Sequence, residues 1–490
     1  MTTIATPLTE TELYDAGRAA RSQVPRSAQA EYTPPPGRDP LGILHEQNES
    51  RLPNLVQLRM QRMATDPFAF YRGTAALQAA DMRGAPTSGA EVVICGDAHV
   101  SNFGIYRSPE RAMVFDINDF DEASVGPWEW DVRRLLASVV LAGRSLGMGG
   151  SDLRSIVVSA AAMYRNSLRN ALQQTLIGRY FRPTSLVDRQ ILSPDSERMI
   201  KRTLKESEKR TSERVARRSL EEGGDGGVQF VENPPVLTRL EPEIRTLIES
   251  VFSAYRKTVP TNLALMLSQY TVLDAARRVV GVGSVGTRCF IIALGDPTGD
   301  VLILQLKEAS RSVIQQYGGV PPVVGYLDPE LEALHEGYRV VGCQRILQAV
   351  SDPFLGYLNV EDFSFYMRIF RNRNASFEIA DMNRVQFGDY AQSCAVVLGR
   401  AHARSPKAQF AAGYIGTGAR SCARWPSGRT PTRTSPKRTT RPSSTRSAPA
   451  TSADPCSPRG TLTPLKSRFR GVYVPFGGRC ALSRAGGRCG

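Results

Sequence analysis

The chain has 490 residues, of which 41% are hydrophobic and 8% aromatic, so it is long enough for two or three domains with a substantial core. No run approaches 18 consecutive apolar residues, and the first residues lack the basic segment followed by an apolar segment that is typical of a signal peptide. We therefore expect a soluble cytoplasmic protein with no membrane partner. Residues 413–490 carry +14 of the net charge of +15, because they contain 15 Lys and Arg residues and a single acid, Asp454. Nucleic-acid binding is therefore expected only of this tail.

Residues 1–50 are polar and carry three consecutive prolines at 34–36, which predicts a flexible leader with at most short helices. The aromatic-rich stretch 66–73 follows. Two interpretations of it are open. It either begins a helix that packs on the core, or it turns Arg72 toward a site where the guanidinium binds a phosphate or a carboxylate.

Two acidic runs, 94–104 and 114–123, each follow a strand-like apolar lead. In the first run Asp97 and Asn102 lie five residues apart on a predicted loop. This spacing allows the carboxylate to accept a substrate proton while the amide oxygen binds Mg²⁺. Asp119, at the end of the second apolar lead, is then predicted to bridge the metal and nucleotide phosphates.

The second run holds four acids in seven residues, namely Asp116, Asp119, Asp121 and Glu122. Carboxylates this close repel one another unless a cation compensates. A metal site is therefore favoured, and acidic caps on a strand connection are the alternative. His99, Asp116 and Asp121 are additional candidates for the site.

Apolar residues at helical spacing in 132–172 predict two packed helices. We expect these helices and the two acidic runs to form a first lobe at 51–235. The second lobe, 236–412, is predicted to contain a strand, a glycine loop, a strand, a turn and a strand that ends in Lys307. The loop residues predicted to bind phosphate are Gly281, Gly283, Ser284 and Gly286. A tight hairpin is the alternative, but the strand order favours backbone N–H groups over phosphates with a lysine beside them.

A helix is predicted over 329–350, with Glu332 and Glu336 one turn apart. Either glutamate is a candidate partner for Lys307. From 413 to 490 the sequence is low in complexity and basic, and predicts a disordered tail. Three interpretations of the tail are open: a segment without a role, a basic arm for nucleic acid or acidic lipid, or an out-of-frame coding sequence.

Three motifs together suggest a family: Gly-Asp-x-His-x-x-Asn at 96–102, Asn-Asp-Phe-Asp-Glu-Ala at 118–123, and Gly-Pro-Trp-Glu-Trp-Asp at 126–131. They resemble the aminoglycoside-phosphotransferase branch of the protein-kinase-like superfamily. Residues from about 50 to 412 resemble more closely an uncharacterised bacterial family, domain of unknown function 2252. That family has no established reaction, so the resemblance implies a fold and a site without a substrate.

The resemblance implies that Asp97 is the catalytic base, that Asn102 and Asp119 are the Mg²⁺ ligands, and that Asp131 braces the catalytic loop. It implies an α+β fold with two kinase-like lobes. Because the glycine loop and Lys307 follow Asp97 in the chain, the lobes are expected in circularly permuted order. The hypothesis requires Lys307 and Asp119 to converge on one triphosphate.

The leading functional hypothesis is a phosphotransferase that uses ATP and Mg²⁺ on an unknown acceptor. A non-catalytic nucleotide-binding regulatory protein is one alternative. A metal-dependent phosphohydrolase that uses Asp97, His99, Asp116 and Asp119 is another.

Overall fold

Strand-forming residues collect around 91–127 and 220–369, with helix-forming segments before, between and after them, so the protein has a mixed α+β fold. The computed structural model describes residues 8–417, apart from 111, 182–191, 210, 224–226, 280 and 371–374. The tail predicted at 413–490 lies outside these residues from 418 onward, and so do its three interpretations.

The α-helices of the described residues are α1 (Glu10–Ala19), α2 (Pro40–Glu49), α3 (Pro53–Met63), α4 (Pro67–Arg72), α5 (Ala75–Met82), α6 (Trp128–Ser145), α7 (Gly150–Leu172), α8 (Leu176–Phe181), α9 (Pro194–Ser207), α10 (Ser212–Ser219), α11 (Pro242–Arg256), α12 (Thr261–Leu267), α13 (Val313–Tyr317), α14 (Pro329–Leu334), α15 (Glu336–Leu347), α16 (Arg384–His402) and α17 (Ala408–Ile415). The strands are β1 (Glu91–Ile94), β2 (Phe103–Arg107), β3 (Met113–Ile117), β4 (Ser124–Pro127), β5 (Leu220–Glu222), β6 (Val228–Phe230), β7 (Leu237–Arg239), β8 (Thr271–Arg278), β9 (Cys289–Gly295), β10 (Val301–Glu308), β11 (Gly356–Val360) and β12 (Phe363–Ile369).

Six strands form one sheet in the order β11-β12-β10-β9-β8-β7, and each neighbouring pair is antiparallel. Side chains alternate between the two faces of a strand. In β10, Leu304 and Leu306 belong to an apolar cluster with α11 and α12. Gln305 and Lys307 therefore lie on the opposite face of the sheet, which faces the acidic runs.

The largest apolar cluster lies where α6, α7, α15, α16 and α17 pack around β1 and the β2–β3 hairpin. The two helices predicted within 132–172 are confirmed as α6 and α7. The helix predicted over 329–350 is instead two helices, because the backbone of His335 is extended between α14 and α15.

The described part of the leader predicted at 1–50 contains α1 and α2, each of ten residues, which agrees with the short helices that the prediction allows. Helix α1 packs on α17 so closely that a Cβ on Gly17 would lie 2.0 Å from the Phe410 carbonyl oxygen. Arg21 Nε also donates to the Tyr414 carbonyl oxygen at 2.9 Å. Since α17 ends at Ile415, the helix continues past the predicted tail boundary at 413. These contacts join segments almost 400 residues apart, which local composition does not encode.

Within the described residues, no helix is both long enough and apolar enough to span a membrane.

Candidate functional site

Asp131 fixes the loop that follows β1. Its two carboxylate oxygens accept hydrogen bonds from the backbone N–H groups of Cys95 and Gly96, at 2.8 and 3.0 Å. His402 Nε2 lies 3.2 Å from the same carboxylate. Gly96 has a φ of +75°, a conformation that favours glycine. Asp131 therefore lies where its backbone contacts hold the loop, which is the position that the resemblance implies.

The braced loop places Asp97 at a cavity. Arg134 Nε donates to Asp97 Oδ1 at 2.7 Å, and His99 Nε2 lies 3.7 Å from Oδ2. Burial alone would raise the pKa of Asp97, but the charges of Arg134 and its neighbours outweigh burial and hold this pKa below its ordinary value. The carboxylate is thus ionised at neutral pH.

The β2–β3 hairpin brings the two acidic runs together. Phe103 is the register partner of Ile117, so Asn102 and the residues after β3 lie side by side. Asn118 N donates to the Asn102 carbonyl oxygen at 2.8 Å. The Asn102 side-chain Nδ2 donates to the Asp97 carbonyl oxygen at 2.7 Å, which leaves the amide oxygen for a ligand.

Lys307 reaches this hairpin from the six-stranded sheet. Its Nζ lies 3.7 Å from Asp119 Oδ1 and forms an ion pair with Asp121 Oδ2. Tyr366, the register partner of Lys307 on β12, donates its hydroxyl to Asp121 Oδ1 at 2.8 Å. Burial would lower the pKa of Lys307, but Asp119 and Asp121 outweigh it and keep the ammonium charged. The convergence of Lys307 and Asp119 that the sequence requires is therefore present.

The structure does not bring the predicted helix glutamates to Lys307. Both Glu332 carboxylate oxygens accept the backbone N–H of Val324, at 2.8 and 2.9 Å. Glu336 pairs with Arg339 one turn along α15, at 2.7 Å. Asp121 takes the place predicted for them, because Lys307 points out of the sheet toward the acidic runs.

Arginine side chains contact the backbone carbonyl oxygens of the glycine loop between β8 and β9. Arg62 Nη1 donates to the Gly281 carbonyl oxygen at 2.8 Å, and Arg51 Nη1 donates to that of Val285 at 2.6 Å. Buried Arg59 lies 3.4 Å from the Gly283 carbonyl oxygen. With these carbonyl groups engaged, the loop is anchored to α3 and its neighbouring turn.

Two of the loop glycines have backbones that other residues adopt with strain, since φ is +72° at Gly281 and +93° at Gly286. At Gly283 a Cβ would lie 3.0 Å from the Arg72 carbonyl oxygen. Among the described residues the N–H groups of Val282 and Gly283 have no hydrogen-bond partner. This loop therefore combines close backbone packing with donors left for a ligand.

Two adjoining cavities, of about 330 and 130 Å³, meet at the site. Both are lined by Asn102, Asp119, Gly281 and Ser284. Lys307 lines the larger one, together with the polar side chains Gln305 and Arg368. Asp97, His99, Asp121 and Arg72 line the smaller one. The predicted metal, loop and base residues thus surround one divided cleft.

Neutral His99 and half-buried Glu122 complete the smaller cavity. Burial lowers the pKa of His99 to about 4, and its Nδ1 has no hydrogen-bond partner in the described part of the chain. Burial raises the pKa of Glu122 to about 7, although its carboxylate accepts the backbone N–H of Val313 at 2.7 Å.

Asp116, a predicted candidate, lies outside both cavities, because strand alternation turns it away from the cleft. Its Oδ1 accepts the backbone N–H of Ile117 at 2.9 Å, and the cation that acts on it most strongly is that of Arg404. Within the described residues no group of three or more His, Cys, Asp or Glu side chains is arranged to hold a metal ion.

Asp116 should instead make stability depend on pH. Burial raises its pKa to about 6, above the unfolded value of about 3.9. Folding therefore favours the protonated form, and stability falls as the pH rises through about 6. Relative to wild type, we expect Asp116→Asn to gain about 2–3 kcal/mol between about pH 4 and about pH 7.5. Urea unfolding at both pH values measures this gain, and a pH-independent difference would contradict it.

Three site residues were missed by sequence reasoning: Arg134, Tyr366 and Arg368. Arg134 lies three residues after Asp131 in α6, on the same helix face, which is a usable signal. Tyr366 and Arg368 are the register partners of Lys307 and Gln305. They could be found only once the pairing of β10 with β12 was known.

Searches of curated proteins and of solved structures found no significant match. A family model described as "Uncharacterized protein conserved in bacteria (DUF2252)" matches residues 51–425. The match covers both acidic runs, the glycine loop and Lys307, and extends past the tail boundary predicted at 413. The chain therefore belongs to the DUF2252 family.

Proposed function

We propose that the protein is a phosphotransferase that uses ATP and Mg²⁺ to phosphorylate a hydroxyl-bearing acceptor. The observation that carries the proposal is the 3.7 Å separation of Lys307 Nζ and Asp119 Oδ1, from segments far apart in the chain. Phosphoryl transfer depends mainly on positioning and on charge neutralisation, and a lysine, a metal-binding carboxylate and a glycine loop are its recurring parts.

The residues present fit the two cofactors. Asp119 and the amide oxygen of Asn102 are hard oxygen ligands of the kind that Mg²⁺ binds together with substrate phosphates. The N–H groups of Val282 and Gly283 have no protein partner among the described residues, and they suit phosphate oxygens. When bound, ATP would supply the phosphoryl group, and Mg²⁺ would supply the positive charge that offsets the acids.

The side chains of the cleft then have distinct roles. Asp97, ionised because of Arg134, orients the acceptor hydroxyl and accepts its proton. Lys307 binds phosphate oxygens from the sheet side, and Asp121 holds the ammonium in place. Asp131 keeps the loop of Asp97 in position through its backbone contacts.

The order of elements also supports this proposal. A glycine loop joins the first two strands of an antiparallel meander, β8 and β9, and the lysine lies on the third, β10. The nucleotide-binding lobe of protein kinases has its glycine loop and strand lysine in this arrangement. In this chain the loop with the proposed base precedes that lobe, so the proposed kinase-like fold is circularly permuted.

A non-catalytic nucleotide-binding protein is the second candidate, and the Asp97–Arg134 contact at 2.7 Å favours it. An ion-paired carboxylate with a lowered pKa is a weaker proton acceptor than a free one. On this proposal the cleft would bind MgATP and respond to it without transferring the phosphate.

Thermal unfolding with and without ATP and Mg²⁺ tests the proposal. We expect MgATP at about 100 times its Kd to stabilise the wild type by about 2.7 kcal/mol. Asp119→Ala and Lys307→Ala should lose this stabilisation, whereas Asp116→Asn, outside the cleft, should keep it. Stabilisation by Mn²⁺ or Zn²⁺ without nucleotide would instead favour a metal-dependent hydrolase. An unchanged response in both alanine variants would contradict the proposed site.

A further inference from the structure

Arg72 enters the smaller cavity from the end of α4. This cavity, of about 130 Å³, is the half of the cleft that Asp97 and His99 line. The Arg72 carbonyl oxygen packs against Gly283, where a Cβ would lie within 3.0 Å of it. The position of Arg72 is thus set by the glycine loop on one side.

The residues adjacent to Arg72 are fixed on the other side. Arg134 Nη2 donates to the Tyr71 carbonyl oxygen at 2.6 Å, and the Arg134 guanidinium lies 3.9 Å from the Tyr71 ring centroid. Arg59 Nη2 donates to the Gly73 carbonyl oxygen at 3.2 Å. The backbone that carries Arg72 is therefore anchored to the Asp97–Arg134 pair.

The guanidinium itself has no such anchor. Its Nε is buried without a hydrogen-bond partner, and its side chain forms no hydrogen bond or ion pair with any described residue. The charges of Asp97, Asp66, Glu378 and Asp119 act on Arg72 without a direct contact. Asp97 pairs with Arg134, and Asp119 lies 3.7 Å from Lys307. A partly buried guanidinium that no acid contacts directly is unfavourable, and a bound anion relieves that cost.

We propose, on the basis of the proposed function, that Arg72 binds a phosphate or carboxylate oxyanion beside Asp97. The planar fork of arginine matches both groups through two parallel hydrogen bonds. Arg51, which lines the same cavity and whose Nε is also buried without a partner, adds positive charge on the loop side. The oxyanion is either the terminal phosphate of the nucleotide or an anionic group of the acceptor. In the second case the acceptor is a small molecule that carries both a hydroxyl and an acid group.

Two binding experiments on Arg72→Gln and Arg72→Lys separate these sources. The first compares MgATP with MgADP by calorimetry. If Arg72 binds the terminal phosphate, Arg72→Gln should weaken ATP binding about tenfold or more and leave ADP binding within about twofold. Arg72→Lys should retain part of the ATP affinity, because it keeps the charge without the fork.

The second experiment fills the nucleotide site with Mg²⁺ and a non-hydrolysable ATP analogue, and then titrates inorganic phosphate while thermal unfolding is followed. If Arg72 binds an anionic group of the acceptor, phosphate should stabilise the wild type and not Arg72→Gln. The matched control is Arg144→Gln, an exposed arginine in the last turn of α6. It should behave like the wild type in both experiments.

The oxyanion site is supported if Arg72→Gln loses ATP affinity selectively, and also if it loses the stabilisation by phosphate. ATP affinity and phosphate stabilisation that stay within about twofold of wild type in both Arg72 variants would overturn it. If the wild type does not bind MgATP, the proposed function fails. Phosphate stabilisation of the nucleotide-free wild type, lost in Arg72→Gln, would still support the site, and a wild type that responds to neither ligand overturns both.

Discussion

Replacing Asp121 with Asn should lower the free energy of unfolding by about 3–5 kcal/mol, because the variant leaves the buried ammonium of Lys307 without its ion-pair partner. Only Asp119, at 3.7 Å, remains close to that ammonium. The Tyr366 hydroxyl also loses its charged acceptor at Asp121. The same variant should weaken MgATP binding, because the lysine is no longer held at the cleft.

A double-mutant cycle separates this pair from general disruption. Lys307→Met alone should also destabilise the protein, since it leaves Asp119 and Asp121 as neighbouring carboxylates without a cation. The double variant, Asp121→Asn with Lys307→Met, should be more stable than the sum of the single losses predicts. We expect a coupling energy of about 2–3 kcal/mol in urea unfolding.

The exposed pair of Arg202 and Glu206 on α9 is the matched control, with side chains 71% and 50% exposed. Glu206→Gln should change the free energy of unfolding by less than about 1 kcal/mol. A coupling energy for Asp121 and Lys307 no larger than this control effect would show that the buried pair does not tie the sheet to the acidic run.

Asp97→Asn should reduce the rate of phosphate release from MgATP by about 10²–10⁴-fold, the usual contribution of a positioned general base. The amide has nearly the same size but cannot take a proton from the attacking hydroxyl or water. ADP formation gives this rate. It is divided by the amount of folded protein, because the variant also loses the charged contact with Arg134. Affinity for MgATP should stay within about threefold, because Asp97 is not proposed to bind nucleotide.

The outcome also decides between the two candidate functions. A transferase predicts a measurable wild-type rate that Asp97→Asn removes. A non-catalytic nucleotide-binding protein predicts tight MgATP binding and an equally low rate in the wild type and in Asp97→Asn. A wild-type rate that persists in Asp97→Asn would contradict the assignment of Asp97 as the base.

Short-range spacing in the sequence predicted much of the site. Asp97 and Asn102 lie on one loop, and Asp119 follows the next strand of the same hairpin, so local order alone brings them together. The strand order around the glycine loop likewise predicted that Lys307 lies beside that loop, and both line the same cavity. These residues share one hairpin or one meander, where register follows from the chain itself.

The partner of Lys307 could not be predicted in this way. Glu332 and Glu336 had suitable charge and helical spacing, but their carboxylates are used within their own loop and helix. Asp121 was expected as a candidate for the metal site, whereas it pairs with a lysine from another part of the chain. Which acid meets a buried lysine depends on how the sheet docks on the hairpin.

The structure of the leader at 1–50 likewise depends on contacts with a distant part of the chain. The polar composition of 1–50 predicts flexibility, yet α1 packs on α17 through close approaches at Gly17 and Gly413. A small residue is a weak local signal, and its role is defined only by a helix almost 400 residues away. Arg134 was missed although its helical spacing from Asp131 is a usable signal, because its partner Asp97 lies on a different element.

We propose that one cleft, formed by the acidic runs and the sheet, binds the phosphates of MgATP. A crystal structure of the protein with Mg²⁺ and a non-hydrolysable ATP analogue tests it most directly. We expect the metal on Asp119 and the Asn102 amide oxygen, and the terminal phosphates between Lys307 and the loop at 281–286. A nucleotide bound elsewhere, or a metal that contacts neither Asp119 nor Asn102, would contradict the account.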